Sequence, residues 1–326
     1  MKINNSAIDF PIKYKKDCGF LGCNYFIKES KSSKREKIKY AILGLPFDNA
    51  VTNRKGAKYA PEAIRKASLM LCDAFHPYII SQKNRQTSPI LPTCQLIDFG
   101  DLKISSAIAK MQKQINIKIY ELIKKYHLIS IGGDHSVTYP ILKAYYQKNQ
   151  KPLALVHFDA HCDTWRTHKN LKLNHGSWLY HAHKQGFIDI KKTIQLGIRS
   201  PGESEYLNYV SKNGGIIISA KDLRGFDGKA LQPFIKRIQK ILKNLPVYLS
   251  IDIDVLDPAF APGTGTPETA GLTTNQLLTF IEELSLNYVG MDCVEVNPQF
   301  DYSEITSLAA ANIIWTYICN NLQNTH

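Results

Sequence analysis

The chain has 326 residues, 44% hydrophobic and 21% charged, an ordinary globular balance with length enough for a sizeable buried core. Lys and Arg number 41 against 28 Asp and Glu, and the resulting +13 bears on solubility and non-specific binding rather than on fold. No apolar run approaches the ~20 residues of a membrane span, the N-terminus lacks the apolar stretch of a secretory signal, and seven cysteines without framework or zinc-site spacing point to reduced thiols in a cytoplasm.

In chain order, residues 1–37 read as a basic N-terminal arm or first layer, followed by one domain over 38–326. Residues 1 to 40 hold ten Lys or Arg against four acids, but no DNA or RNA recognition motif accompanies them, so no nucleic-acid partner is expected. "IKYAILGLPF" (38–47) predicts a strand and loop. Residues 105–127 have helical periodicity, with Ser105 as the expected cap. "LISI" (128–131) is a strand stopped by Gly132 and Gly133, and "TYPILKAYYQKN" resumes a helix. Further strands are predicted at 153–158, 193–198, 215–219, 247–253 and 288–296, and helices at 228–244, 274–285 and 305–322. Short apolar strands alternating with helices argue an α/β fold, a three-layer arrangement with a mainly parallel central sheet covered by helices on both faces.

Ligands of such sheets bind beyond the carboxyl ends of the strands, and three strand ends here are rich in chemistry. "LISIGGDHS" ends with Asp134 and His135. "VHFDAHCDTW" carries Asp159, His161 and Asp163 at alternate positions, and "VYLSIDIDVLDP" carries Asp252 and Asp254 likewise. Alternation in extended backbone puts such residues on one side. Four carboxylates crowded together repel and resist ionisation, and two divalent cations would neutralise them. Oxygen and imidazole donors without thiolate suit Mn²⁺, with Co²⁺ or Ni²⁺ as alternatives. A water shared by two such ions becomes a hydroxide nucleophile near neutral pH. Several neighbours read as structural: Asp134 as a helix cap, Asp257 as a turn residue, His157 as a satisfied core histidine, Cys162 as packing, and His168, His181 and His183 as surface residues.

Together "GGDHS", "DAHCD" and "SIDIDVLDPAFAPGTGTPETAG" resemble the ureohydrolase family of arginases, agmatinases and their relatives, over about residues 43 to 315. "GTGTPE" and "VEVNPQFDYSEITSLAAA" look closer to agmatinase. The resemblance implies an arginase-like fold with two Mn²⁺ per subunit. One ion would take His135, Asp159, Asp163 and Asp252, and the other His161, Asp159, Asp252 and Asp254, with Asp159 and Asp252 bridging. It implies catalytic roles for Asp163, for His175 as proton relay and for Glu295 as guanidinium holder, and a homotrimer or homohexamer. The expected reaction is hydrolysis of agmatine to putrescine and urea. Another guanidino-acid or guanidine hydrolase, an arginase, and a silent metal-binding paralogue are the alternatives. Trp165 stands where arginase has an asparagine that contacts the amino-acid head of its substrate. An indole has one N–H donor and no charge, which disfavours arginine. Arg166, Lys169 and Lys172 nearby either face an acidic substrate tail or are solvated.

Overall fold

The computed structural model describes residues 19–23, 40–71, 96–167 and 173–323. Eight strands form one sheet: β1 (Tyr40–Leu45), β2 (Leu96–Asp101), β3 (His127–Gly132), β4 (Leu153–Phe158), β5 (Ile188–Ile198), β6 (Ile216–Ser219), β7 (Pro246–Asp252) and β8 (Asn287–Val294). Their spatial order is β2-β1-β3-β8-β7-β4-β5-β6, and every pair is parallel. The helices are α1 (Ala60–Ser68), α2 (Ile108–Leu122), α3 (Thr138–Asn149), α4 (Trp178–Lys184), α5 (Ser204–Leu207), α6 (Tyr209–Lys212), α7 (Gln232–Leu242), α8 (Thr274–Glu283) and α9 (Ile305–Gln323).

The strands are apolar on both faces because helices cover both. In β1, Tyr40 and Ile42 join a core containing Ile64 of α1, Ile235 of α7, Phe280 of α8 and Trp315 of α9. Ala41, Leu43 and Leu45 join a second core with Met111 and Ile115 of α2, Ile141 of α3 and Trp178 of α4. The two-residue period of a strand divides one sequence between two layers, as the α/β expectation required.

Some boundaries differ from the sequence expectations. β2 was not foreseen, because "LIDFGD" carries two acids. Asp98 is nevertheless fully buried there, since Arg65 of α1 donates to both its oxygens (2.7 and 2.9 Å) and Phe20 N–H donates to one of them (2.9 Å). Ser105 does not cap α2. That helix starts at Ile108 after Ala107, and the Ser105 hydroxyl accepts the Ala107 N–H at 3.3 Å. β5 starts five residues early, at Ile188. The stretch from 228 enters α7 through a separate 3-10 turn, Gly228–Leu231. Of the arm expected over 1–37 only residues 19–23 are described, and Phe20 there is buried in the first core. Cys18, Cys72, Cys94, His168, Lys169 and Lys172 lie outside the described residues.

The consecutive strands β3, β8, β7 and β4 occupy the middle of the sheet. Chain order and spatial order part company there: β3 and β4 are joined through α3, yet two later strands lie between them. A crevice at the carboxyl ends of these four strands follows.

Candidate functional site

Each of the four central strands ends in a turn that aims a polar side chain back across the sheet's edge. After β3, Asp134 accepts Ser136 N–H at 3.1 Å and caps the turn that holds His135, as expected of it. After β4, Asp159 accepts His161 N–H at 2.6 Å. At the end of β7, Asp252 accepts Asp254 N–H at 2.9 Å. Beyond β8, Glu295 has a left-handed backbone with φ 63°, and Asp163 has φ 52°. Non-glycine residues are uncommon in that region and cluster where surrounding structure over-determines them.

The turns bring all six sequence-predicted ligand positions together in two groups. His135 Nδ1 lies 3.2 Å from Asp159 Oδ2, 3.1 Å from Asp163 Oδ2 and 3.2 Å from Asp252 Oδ2. His161 Nδ1 lies 3.3 Å from Asp159 Oδ1 and 3.0 Å from Asp254 Oδ2. Asp159 thus turns one oxygen to each group. Asp252 is placed by these contacts with the first group.

The tautomer of His135 decides what the first group can hold. Its Nε2 lies 2.8 Å from Ser250 Oγ, and that hydroxyl donates to Asp292 Oδ1 at 2.6 Å. Ser250 therefore accepts from Nε2, and the Nδ1 lone pair faces three carboxylate oxygens. Lone pair against anion is repulsive unless a proton or a cation sits between them. Burial works against a charged His135, yet its bonds to Asp159, Asp163 and Asp252 outweigh that and raise its pKa well above the ordinary value. His161 is likewise disfavoured by burial and raised by Asp254 and Asp159. Burial and the neighbouring Asp254 and Asp159 push Asp252 far up, and burial and Asp159 push Asp163 up. The donor set, buried and short of positive charge, fits two divalent ions better than protons.

Several contributors escaped the sequence reading. His157, expected as a satisfied core histidine, is buried and satisfied, but its partners matter. Gln195 Nε2 donates to Cys162 O (2.9 Å) and to His157 Nδ1 (3.1 Å), so His157 Nε2 carries the proton and donates to Asp159 Oδ2 at 2.9 Å. His157 meets the spacing of a metal group with His135, Asp159 and Asp163, yet both its nitrogens are engaged, Nδ1 by Gln195 and Nε2 by Asp159. Trp178 Nε1 donates to Asp163 Oδ2 at 2.5 Å. Asp292 accepts from Thr138 (2.8 Å) and Tyr248 (3.0 Å) as well as Ser250. An aspartate inside the apolar run of β8 was the available signal. Asp257 is the turn residue expected, accepting Ala259 N–H at 3.0 Å. His181 and His183 are half-buried on α4, facing Arg166 O (3.2 Å) and the Tyr209 hydroxyl (2.8 Å) away from the two groups.

Beside the two groups, His175 Nδ1 donates to Glu295 Oε1 at 2.9 Å, and His175 Nε2 accepts Thr52 N–H at 3.1 Å. The Thr52 hydroxyl sits 2.8 Å from the same nitrogen, ready to accept if it is protonated. Burial disfavours charge on His175, and the Glu295 carboxylate reverses this and raises its pKa. Glu295 also accepts His135 N–H at 2.9 Å through Oε1, while its buried Oε2 has no hydrogen-bond partner among the described residues. His175 and His135 border a cleft of about 300 Å³, walled also by Thr52, His161, Trp165 and Thr266. Trp165 is fixed over Gly176, where a Cβ would come within 3.0 Å of the indole. Arg166 points elsewhere, pairing with Glu205.

Residues 38–319 match the family model described as the arginase family. The chain belongs to that family. Relatives in the arginase family include an agmatinase from Chromobacterium violaceum, 38% identical, with 92% of this chain and 89% of that protein aligned. A hypothetical agmatinase from Burkholderia thailandensis superposes with a TM-score of 0.81 at 36% identity, over 96% of this chain and 93% of that one. Proclavaminate amidino hydrolase from Streptomyces clavuligerus does so with a TM-score of 0.83 at 28% identity, over 96% and 99%. The arginase-family fold expected from the motifs is therefore the fold observed.

Proposed function

We propose that this chain is an agmatine ureohydrolase that cleaves agmatine to putrescine and urea using two Mn²⁺ ions. His135, Asp159, Asp163 and Asp252 would hold one ion, and His161, Asp159, Asp252 and Asp254 the other. The observation that carries the proposal is Asp159, whose two oxygens are divided between the two His–Asp groups at the edge of one cleft. When bound, the ions supply Lewis-acid chemistry and a nucleophile from water near neutral pH.

The protein's own side chains do the rest. A guanidinium carbon is deactivated by resonance, so the substrate must be held at fixed distance and angle. Glu295 takes the guanidinium N–H groups with charge-assisted hydrogen bonds from its spare oxygen. Asp163 accepts the proton released as water attacks. His175 carries a proton to the departing amine, with Thr52 serving either protonation state and Glu295 favouring the charged one. Trp165, in the cleft wall, disfavours the amino-acid head of arginine. The same proposal includes a single domain over 38–326 with 1–37 as an arm or first layer, a cytoplasmic location, and a trimer or hexamer as the family resemblance implies.

The test is urea release from agmatine, arginine, 4-guanidinobutyrate, 3-guanidinopropionate and guanidine, with defined metal. Agmatine should lead, activity should require Mn²⁺, and Asp254→Ala should lower kcat at least ~100-fold. A different leading substrate would end the agmatine assignment, and metal-independent turnover would end the binuclear one.

A further inference from the structure

The motif "GTGTPE" ends in Glu268, which the chemistry above leaves unused. Its side chain is half-buried, two residues beyond the cleft-lining Thr266. Glu268 Oε1 accepts the Ser200 hydroxyl at 2.8 Å and lies 3.8 Å from His161 Nε2, too far for a hydrogen bond. The imidazole of His161 therefore stands between two acidic groups, with Nδ1 turned to Asp254 at 3.0 Å and Nε2 turned to Glu268.

The segment carrying Glu268 is held firmly. Arg199, just past the end of β5, donates to the carbonyls of Gly197, Asp254, Val255, Leu256, Glu268 and Thr269 at 2.7–3.2 Å. Its guanidinium thereby ties the loop bearing Asp254 to the loop bearing Glu268. Its N–H groups are spent on backbone oxygens and leave the Glu268 carboxylate to other partners. Gly271 makes room for this clamp, since a Cβ there would lie 2.5 Å from Arg199 Nη2.

We infer that Glu268 is the specificity residue for the far end of the substrate, receiving a primary ammonium group. The inference rests on the guanidino-compound reading above and adds the class of tail. Five bonds separate the nearer guanidino nitrogen of agmatine from its amine, a span of about 6 Å at ~1.2 Å per bond. That is about the width of the His161 ring plus one contact, so a substrate whose guanidinium lies beside the His–Asp groups can carry its ammonium past the cleft-lining His161 toward Glu268, which lies 3.8 Å from His161 Nε2. The Trp165 indole walls the same cleft and suits the methylenes between them.

The experiment compares agmatine with n-butylguanidine, which has the same chain without the amine, in wild type and Glu268→Gln loaded with Mn²⁺. Glutamine keeps the Ser200 hydrogen bond and the side-chain volume, and bound metal is counted in both proteins. Glu268→Gln should raise KM for agmatine roughly 10- to 50-fold with kcat within about twofold. It should leave both constants for n-butylguanidine unchanged and weaken inhibition by putrescine in step with agmatine. Equal losses on both substrates, or a fall in bound metal, would show Glu268 acting through His161 and overturn the inference. So would an agmatine KM that does not move. Wild type that turns over n-butylguanidine but not agmatine leaves a guanidine hydrolase without the ammonium site, and wild type inert toward both removes the guanidino reading and this inference together.

Discussion

At the scale of single residues, the site is organised by who donates to whom. His157 and Gln195 show it best. The amide has one fixed orientation because Cys162 O can only accept, and that choice runs through both nitrogens of His157 to the carboxylate shared by the two groups. Partners of this kind set the orientation and basicity of metal ligands. Replacing His157 by leucine should weaken Mn²⁺ binding about 10- to 100-fold, read as metal retained against a graded chelator series. Unchanged retention would show that Asp159 needs no such support. His157 was legible in sequence as buried and satisfied. Its role was not, because Gln195 is on another strand.

At the scale of elements, strands and their ends carry different information. The strand ends were legible: an apolar run, a break, then acids and imidazoles at alternate positions. β2 was not, because its buried Asp98 is neutralised by an arginine 33 residues earlier on α1. The end of β3 shows how tightly these ends are joined. Asp134 N–H donates to Phe47 O at 2.8 Å in the loop after β1, and a Cβ on Gly133 would overlap that same oxygen. Gly133→Ala must therefore push the β1 and β3 loops apart. It should destabilise the fold by about 3 kcal/mol and loosen His135. A urea melt checks the first effect, and a midpoint within error of wild type would show that the loops yield freely.

At the scale of the whole molecule, the sheet has chemistry at both ends. Opposite the site, where the strands begin, His127 borders a cavity of about 730 Å³ and its Nε2 lies 2.8 Å from the Tyr317 hydroxyl. Burial pushes its pKa down to about 4 from the ordinary 6.5. A histidine with a depressed folded-state pKa binds fewer protons folded than unfolded. Stability is full above pH 6.5 and is lost as pH falls from there toward 4. The complete shift corresponds to about 3 kcal/mol, and solvent access through the cavity screens this to about half. His127→Gln should therefore flatten the fall of Tm between pH 6.5 and 4 relative to wild type. Parallel curves for the two proteins would place the acid sensitivity elsewhere, in the crowded carboxylates of the site.

The sequence by itself determined the local matters: which stretches are two-sided buried strands, where each stops, and which acids and imidazoles follow at alternate positions. Those are properties of a few adjacent residues, and backbone periodicity carries them whatever the rest of the chain does. Only the tertiary structure decided which strands are neighbours, since the order β3-β8-β7-β4 depends on how helices pack on both faces of the sheet. It alone brought Ser250 and Asp292 behind His135, Thr52 and Glu295 to His175, and Glu268 to His161, through contacts between residues as much as 123 apart. Charge and hydrogen bonding act over a few ångströms of space, and separation along the chain says little about that distance until the sheet is assembled.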